Sequence, residues 1–208
     1  MKLLIVFALL GLGFASANLR TEMDTVIGYL NIEEVRRIYQ RYIAADREVA
    51  EIYSFLQSPI ADEAFQILFA NEEMREISAW ANERGVDLYS YLSNILFVLG
   101  LRPIPPRRSV RGPVTLAGFG WRGMMDEIEA AMNWDGATAQ AQVFINTPGS
   151  EYGELHRMIQ AQHDPIHDSF HDPTVTRFFD QLRVFGVQVD ETRARLYHWY
   201  GWDDHHHH

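Results

Sequence analysis

Residues 85–101, Gly-Val-Asp-Leu-Tyr-Ser-Tyr-Leu-Ser-Asn-Ile-Leu-Phe-Val-Leu-Gly-Leu, decide the fold class of this chain. Gly85 can end the preceding element, because glycine has no Cβ and readily adopts a positive φ. Asp87 can cap the free N–H groups of a helix that begins at Leu88. From Leu88 onward the apolar residues recur with the 3.6-residue period and cover most of the helix circumference. Such a helix is buried on several sides, so we expect other helices to surround it.

The same pair of helix-ending glycines recurs 101 residues later, where Gly186 matches Gly85 and Gly201 matches Gly100. Upstream the offset is 89, since the segment 55–59 aligns with 144–148. The difference between the offsets implies an insertion of 12 residues in the second half, around His163 to Asp172. We interpret the pattern as a diverged duplication of a helical unit. Strand signals are nearly absent, so the predicted fold class is all-α.

Five segments follow from this interpretation. Lys2, an apolar run and Ala15-Ser16-Ala17 are typical of a secretory signal peptide with its cleavage site. The four prolines of the connector disfavour a helix there, and its arginines indicate a solvated linker rather than a nucleic-acid or membrane patch. The segments are a signal peptide (1–17), helical repeat 1 (18–101), a Pro/Arg-rich connector (102–114), helical repeat 2 (115–204) and a His tag (205–208).

Composition excludes a disulfide-stabilised protein and argues against a nucleic-acid-binding one. The chain has no cysteine, so a secreted form would depend on packing without disulfides. Its formal net charge of −10 argues against nucleic-acid binding, where basic residues supply most of the affinity.

Local signals place individual helix ends. Asn31, followed by Glu33 and Glu34, is expected to cap a helix with acidic residues in its first turn. In the second half, Asp135-Gly136 predicts a break between two helices.

The segment around His163, His167 and His171 carries the strongest chemical signal. Histidines four residues apart could line one helical face and bind zinc or iron. Pro165 and Pro173, however, leave room for only a short helix, and His163 precedes Pro165, so one continuous face with all three histidines is not expected. The sequence favours a polar, Asx-capped turn over a metal site.

No catalytic motif is found: there is no Gly-x-Ser-x-Gly, no phosphate loop and no His-Glu-x-x-His. Carboxylate doublets such as Glu72-Glu73 are explained by the helix dipole. The protein is therefore not expected to be an enzyme, and no cofactor is predicted.

The duplicated helical unit, the Gly-Val-Asp-Leu-Tyr-Ser-Tyr-Leu segment ending at Leu99-Gly100-Leu101 and the secretory start resemble the insect allergen-related repeat family. The second half departs from that pattern at its His-Asp-Pro insertion and at Gln188, which stands in place of an Asp cap. The resemblance implies two repeats forming one helical capsule around a large apolar cavity that holds a fatty acid or phospholipid. It also implies secretion into the gut lumen or to the microvillar surface.

The expected lining of that cavity consists of apolar side chains on the periodic faces of the helices. They are Ile38, Tyr42, Ile52, Leu56, Phe65, Leu68, Phe69, Ile77, Leu88, Leu92, Ile95, Leu96, Met124, Ile128, Met132, Phe144, Leu155, Ile159, Phe178, Leu182 and Leu196.

Three function classes remain open at this point. The preferred one is a secreted lipid carrier whose partners are lipids and, transiently, membrane surfaces, with a membrane-perturbing activity through lipid exchange. The second is a metal-dependent enzyme at the histidine segment. The third is an interaction module with a solid core, because helical periodicity cannot distinguish a packed interior from a hollow one.

Overall fold

The computed structural model describes residues 18–69, 71–103 and 115–202. The signal peptide, most of the connector and the His tag lie outside the described residues. The described residues form α-helices and no strand, which confirms the all-α prediction. The helices are α1 (Leu19–Gly28), α2 (Ile32–Ala45), α3 (Arg47–Leu56), α4 (Pro59–Phe69), α5 (Glu72–Glu83), α6 (Leu88–Val98), α7 (Gly120–Ala131), α8 (Trp134–Asn146), α9 (Glu151–Gln160), α10 (His163–Phe170), α11 (Pro173–Val184) and α12 (Val189–Tyr200).

The helix ends predicted from residues 85–101 are present in the structure. Gly85 has a φ of 73° and the N–H of Val86 donates to the carbonyl of Ala81, so α5 ends in a left-handed glycine turn. Gly186 ends α11 in the same way, with a φ of 81°. Asp87 caps α6 by accepting from the N–H of Ser90 at 3.2 Å. These ends depend on local chemistry alone, which is why the sequence could place them.

Two local predictions are wrong. Asp135 and Gly136 lie within the first turn of α8, and the helix instead begins after Asn133, whose side chain accepts from the N–H of Gly136. Asn31 stands at the start of α2 but makes no side-chain cap there. Its amide reaches the carbonyl of Ala131 at 3.4 Å, so a contact with the second half takes the place of the local one.

The helices of the two halves pack against each other in a reciprocal way. Helix α4 packs on α11, and α9 packs on α5, while α2 lies against α7. With an offset of 89 residues α4 corresponds to α9, and with an offset of 101 residues α5 corresponds to α11. The contact of α4 with α11 is therefore the counterpart of the contact of α9 with α5. Helix α10 occupies the predicted insertion. The positions that would match α1 fall at 108–117, and 108–114 lie outside the described residues. The reciprocity agrees with the interpretation of a duplication.

Carboxylates of the first half cap helices of the second. Asp46 and Glu48 accept from the N–H groups of Gly120 and Trp121 at 2.8 and 2.9 Å, at the start of α7. Unpaired N–H groups and the helix dipole both favour a negative charge at this position. The φ of Gly120 is +66°, and a Cβ on this residue would lie 2.8 Å from the carboxylate of Glu48. The close approach therefore requires glycine.

Glu22 caps α9 in a comparable way, from inside the core. Its side chain is 4% exposed and accepts from the N–H of Tyr152 at 2.7 Å and from the hydroxyl of Ser150 at 3.1 Å. In return, Glu151 of α9 accepts from the N–H of Leu19 at 2.6 Å, at the start of α1. Each helix thus satisfies the free donors of the other, which fixes their relative position.

Aromatic contacts between the halves fill the core. Phe178 of α11 lies 5.4 Å from Phe65 of α4, measured between ring centroids. Tyr39 stacks on Phe97 at 4.5 Å and meets the edge of Trp121 at 6.1 Å. Both clusters join residues far apart in sequence, so the halves share one core. Among the residues described, none of the helices is long and apolar enough to cross a bilayer.

The Glu22→Gln substitution should lower the free energy of unfolding by about 1–2 kcal/mol, because a charge-assisted cap of α9 becomes a neutral one in a buried site. Urea denaturation followed by circular dichroism measures this. Glu63→Gln, at an exposed position of α4, is the matched control and should change the free energy by less than about 0.5 kcal/mol. Equal effects of the two substitutions would contradict the role of Glu22.

Candidate functional site

An apolar pocket lies between α1, α6, α8 and α12, with Tyr152 of α9 closing one side. The space between its side chains is about 590 Å³, including the part open to solvent, and the centre of a water molecule could occupy about 50 Å³ of it. The volume comparable with that of known ligand sites is about 50 Å³, well below the roughly 300–1,000 Å³ common for small molecules, so the pocket must widen before it can hold one. The lining residues are Met23, Val26, Ile27, Leu30, Ile95, Leu99, Trp134, Ala137, Tyr152, Arg195, Leu196, Trp199 and Tyr200.

The shape of the pocket follows from which side chains each helix presents. Met23, Val26, Ile27 and Leu30 recur at helical spacing along α1 and the turn after it, so they form one continuous apolar wall. Opposite them, Ala137 of α8 is fully buried and contributes only a methyl group. A short side chain at this position keeps the space open.

Polar groups at the pocket are held in their uncharged forms. Burial raises the pKa of Tyr200 to about 12 and raises the pKa of Tyr152 further. Next to them, the Nε2–H of His156 donates to the carbonyl of Trp199 at 3.2 Å. Desolvation lowers the pKa of His156, and the positive charge of Arg157 adds to this effect. The interior side of the site is therefore neutral around pH 7.

A charged groove between α7 and α12 adjoins the pocket. Leu99, Trp134 and Arg195 belong to the lining of both. Arg195 forms ion pairs with Glu129 of α7 and, at 2.9 Å, with Glu191 of α12, and its side chain is 43% exposed. Arg195 thus stands at the boundary between an apolar pocket and a polar surface. An amphipathic molecule requires both environments.

The predicted lining residues fall into two groups. Most are buried in the common core: Ile38, Tyr42, Ile52, Leu56, Phe65, Leu68, Ile77, Leu88, Leu96, Met124, Ile128, Leu155, Ile159, Phe178 and Leu182. The others are partly buried at its edge: Phe69, Leu92, Ile95, Met132, Phe144 and Leu196. The structure brings two of them, Ile95 and Leu196, to the apolar pocket. Met132 lines the charged groove, and Leu56 and Phe65 lie at a small polar cleft beside Arg102.

Several pocket residues were missed by the sequence analysis. The wall formed by α1 has a readable signal, because its apolar residues are spaced by three, one and three positions. None of these residues is among the expected lining residues. Helical spacing does not identify the aromatic residues of the pocket, Trp134, Trp199 and Tyr200. Their position in the pocket depends on how α8 and α12 pack against each other.

The histidine segment differs from its prediction. Helix α10 begins at His163 and includes Pro165 in its first turn, where the missing N–H removes no intrahelical hydrogen bond. The three histidines therefore lie side by side: the ring centroids are 5.6 Å apart for His163 and His167, and 5.0 Å apart for His167 and His171. The expectation that Pro165 would prevent a common face is wrong. The predicted cap of the next helix is confirmed, because Asp172 accepts from the N–H of Thr174 at 2.7 Å.

The comparison with known families gives a match over most of the chain. A profile described as "Insect allergen related repeat, nitrile-specifier detoxification" matches residues 18–193. The chain belongs to the insect allergen-related repeat family. This confirms the resemblance seen in the sequence. The matched region of this insect allergen-related repeat protein contains α1, α6 and α8 but ends within α12, before the α12 residues that line the pocket.

A curated relative supports the same assignment. Protein G12 of Anopheles gambiae is 24% identical over 188 residues, which cover 89% of this insect allergen-related repeat protein and 88% of that relative. The similarity therefore extends over both halves and is not confined to one motif.

Lowering the pH should reduce the free energy of unfolding through His156, which holds α12 by its hydrogen bond to Trp199. Folding lowers the pKa of this imidazole below its ordinary value of 6.5, so its stabilising effect is present above pH 6.5 and is lost as the pH falls below that value. Unfolding free energies measured by urea denaturation between pH 7.5 and pH 5, about the ordinary histidine pKa, should show this decline. His156→Gln, which keeps a donor for the Trp199 carbonyl, should flatten the profile, whereas His198→Gln on the exposed side of α12 should not. A variant profile parallel to the parent's would contradict the assignment.

Proposed function

We propose that this protein is a secreted lipid-binding and lipid-transfer protein of the insect gut. It holds the acyl chain of a fatty acid or phospholipid in the apolar pocket, with the polar head at the charged groove. The observation that carries the proposal is the continuity of the two surfaces through Leu99, Trp134 and Arg195. Family membership supports it, and so does the signal peptide predicted for residues 1–17.

The energetics favour a hydrocarbon ligand. Burying an acyl chain of about 16 carbons gains on the order of 10 kcal/mol, at about 0.8 kcal/mol per CH₂ group. An empty apolar void, by contrast, costs about 20 cal/mol per Å² of its surface. The walls of the pocket therefore approach each other without a ligand and separate around one.

Helix α12 is the wall that is best placed to move. Its polar contacts with neighbouring helices include Arg195 with Glu129, His156 with Trp199, Arg183 with Asp190 at 2.7 Å, and His167 with Tyr197 at 3.2 Å. The ion pair of Arg195 is half exposed, so it contributes little to stability and can be exchanged for contacts with a lipid head. Outward movement of α12 widens the pocket without disturbing the core between α4 and α11.

Lipid exchange with membranes extends the proposal. A protein that gains this much free energy from an acyl chain competes with a bilayer for it, and removal or insertion of lipid perturbs cells or enveloped particles. The unloaded and loaded forms would differ in this activity.

The solid-core interaction module is the competing proposal, and a specific observation favours it. Most of the side chains expected to line a central cavity are packed in the common core, with exposures of a few per cent or less. Under this alternative the apolar pocket has no ligand, and filling it has no effect on any lipid. The two proposals are separated by substitutions within the pocket.

Ala137→Phe should weaken the binding of a fluorescent fatty acid by about tenfold, because it displaces about two CH₂ groups worth about 0.8 kcal/mol each. Equilibrium titration measures the affinity. Val143→Phe is the matched control, since Val143 lies on the same helix and is 57% exposed. Leu196→Trp, which fills the same pocket from α12, is a second variant that keeps the test valid if Ala137→Phe does not fold. Affinities equal to those of the parent in both filled variants would contradict the proposed site.

Delipidated protein should release dye from phosphatidylcholine vesicles faster than protein loaded with a fatty acid, because an empty pocket withdraws lipid from the bilayer. Fluorescence dequenching follows the release, and protein denatured by heat serves as the control. Equal and negligible release by both forms would refute the exchange activity while leaving lipid binding intact.

A further inference from the structure

His167 and His171 form a pair whose geometry is suited to a metal ion. They are four residues apart, at and just beyond the end of α10, and the distance between their Nε2 atoms is 3.4 Å. Two histidines at this spacing on one helical face are a recurrent zinc-binding arrangement. We propose that this pair is a site for a divalent transition metal, with Zn²⁺ as the best-fitting ion.

The distance selects among ions. Two nitrogen ligands of a tetrahedral zinc ion, each about 2.0–2.1 Å from the metal, lie about 3.3–3.4 Å apart. Neighbouring ligands in a square-planar Cu²⁺ site lie closer together, at about 2.9 Å. The observed separation agrees with the tetrahedral edge. The separation of the two Nε2 atoms is therefore compatible with a shared zinc ion.

The second nitrogen of His167 is held from α12. Its Nδ1 lies 3.2 Å from the hydroxyl of Tyr197, a residue that is 6% exposed and fixed in the core. Histidines that bind metals almost always hydrogen-bond through the other ring nitrogen, which orients the ring and fixes its tautomer. When Nδ1–H donates to the Tyr197 hydroxyl, Nε2 presents a lone pair toward His171.

The surroundings limit the motion of the pair. The ring of His163 stacks on that of His167, with an angle of 16° between the planes. His171 is followed directly by Asp172, which caps α11. Both ends of the pair are thus anchored to helices, so less conformational entropy is lost when an ion binds.

The site has two protein ligands. No group of three or more His, Asp or Glu side chains within the described ranges is arranged to hold an ion. Water completes the coordination, as at zinc sites that keep open positions. The proposal concerns metal binding and assigns no reaction to the ion.

Zinc chloride titrations of the full-length chain test the proposal. Because residues 205–208 are also histidines, serine replaces them in every version. Isothermal titration calorimetry should show one Zn²⁺ per chain. His171→Asn and His167→Asn should abolish this binding, whereas His198→Asn, an exposed histidine on α12, should leave it unchanged. His171→Cys, which supplies another zinc ligand, should restore it.

Two further readouts separate ligation from a structural role. The Nε2 resonances of His167 and His171 should shift on addition of zinc, and circular dichroism should show that the variants remain folded. Tyr197→Phe should weaken binding by about tenfold, since it removes the outer hydrogen bond but keeps the ring. If the parent binds no zinc, or binds it as tightly as the folded His171→Asn variant does, the pair is an ordinary hydrogen bond between imidazoles and the proposal is overturned.

Discussion

Helix capping between the two halves is the constraint on which the rest of the structure depends. Asp46 and Glu48 close the start of α7, and Glu22 closes the start of α9 from within the core. A carboxylate at the start of a helix is stabilised by free N–H groups and by the helix dipole, and a buried one tolerates little displacement. These contacts therefore set how the halves face each other, and the apolar side chains then fill the space between them.

The position of the pocket follows from the same contacts. Glu22 belongs to α1, so its bond to α9 places the apolar wall of α1 opposite α8 and α12. The pocket thus lies where α1 meets the second half. Arg195 marks its border with the charged groove, and this combination of an apolar interior and a polar rim is the physical basis of the lipid-binding proposal.

The sequence predicted those features that depend on neighbours in the chain. The glycine at position 85 and the cap at Asp87 need only local backbone geometry and one side chain, and the helical class needs only periodicity. The pocket could not be predicted in the same way, because periodicity shows that a face is buried but not against what. Two errors show how far local reasoning reaches. The side chain of Asn31 bonds to the other half and does not cap its own helix. Pro165 falls in the first turn of α10, where proline is compatible with a helix.

Native mass spectrometry of the folded, purified protein tests the central claim most directly. The account predicts that the chain carries the additional mass of a fatty acid or phospholipid, and that this mass is lost when the protein is denatured and extracted with organic solvent. A spectrum with the polypeptide mass alone, unchanged after incubation with acyl lipids, would contradict the account and favour a solid-core protein.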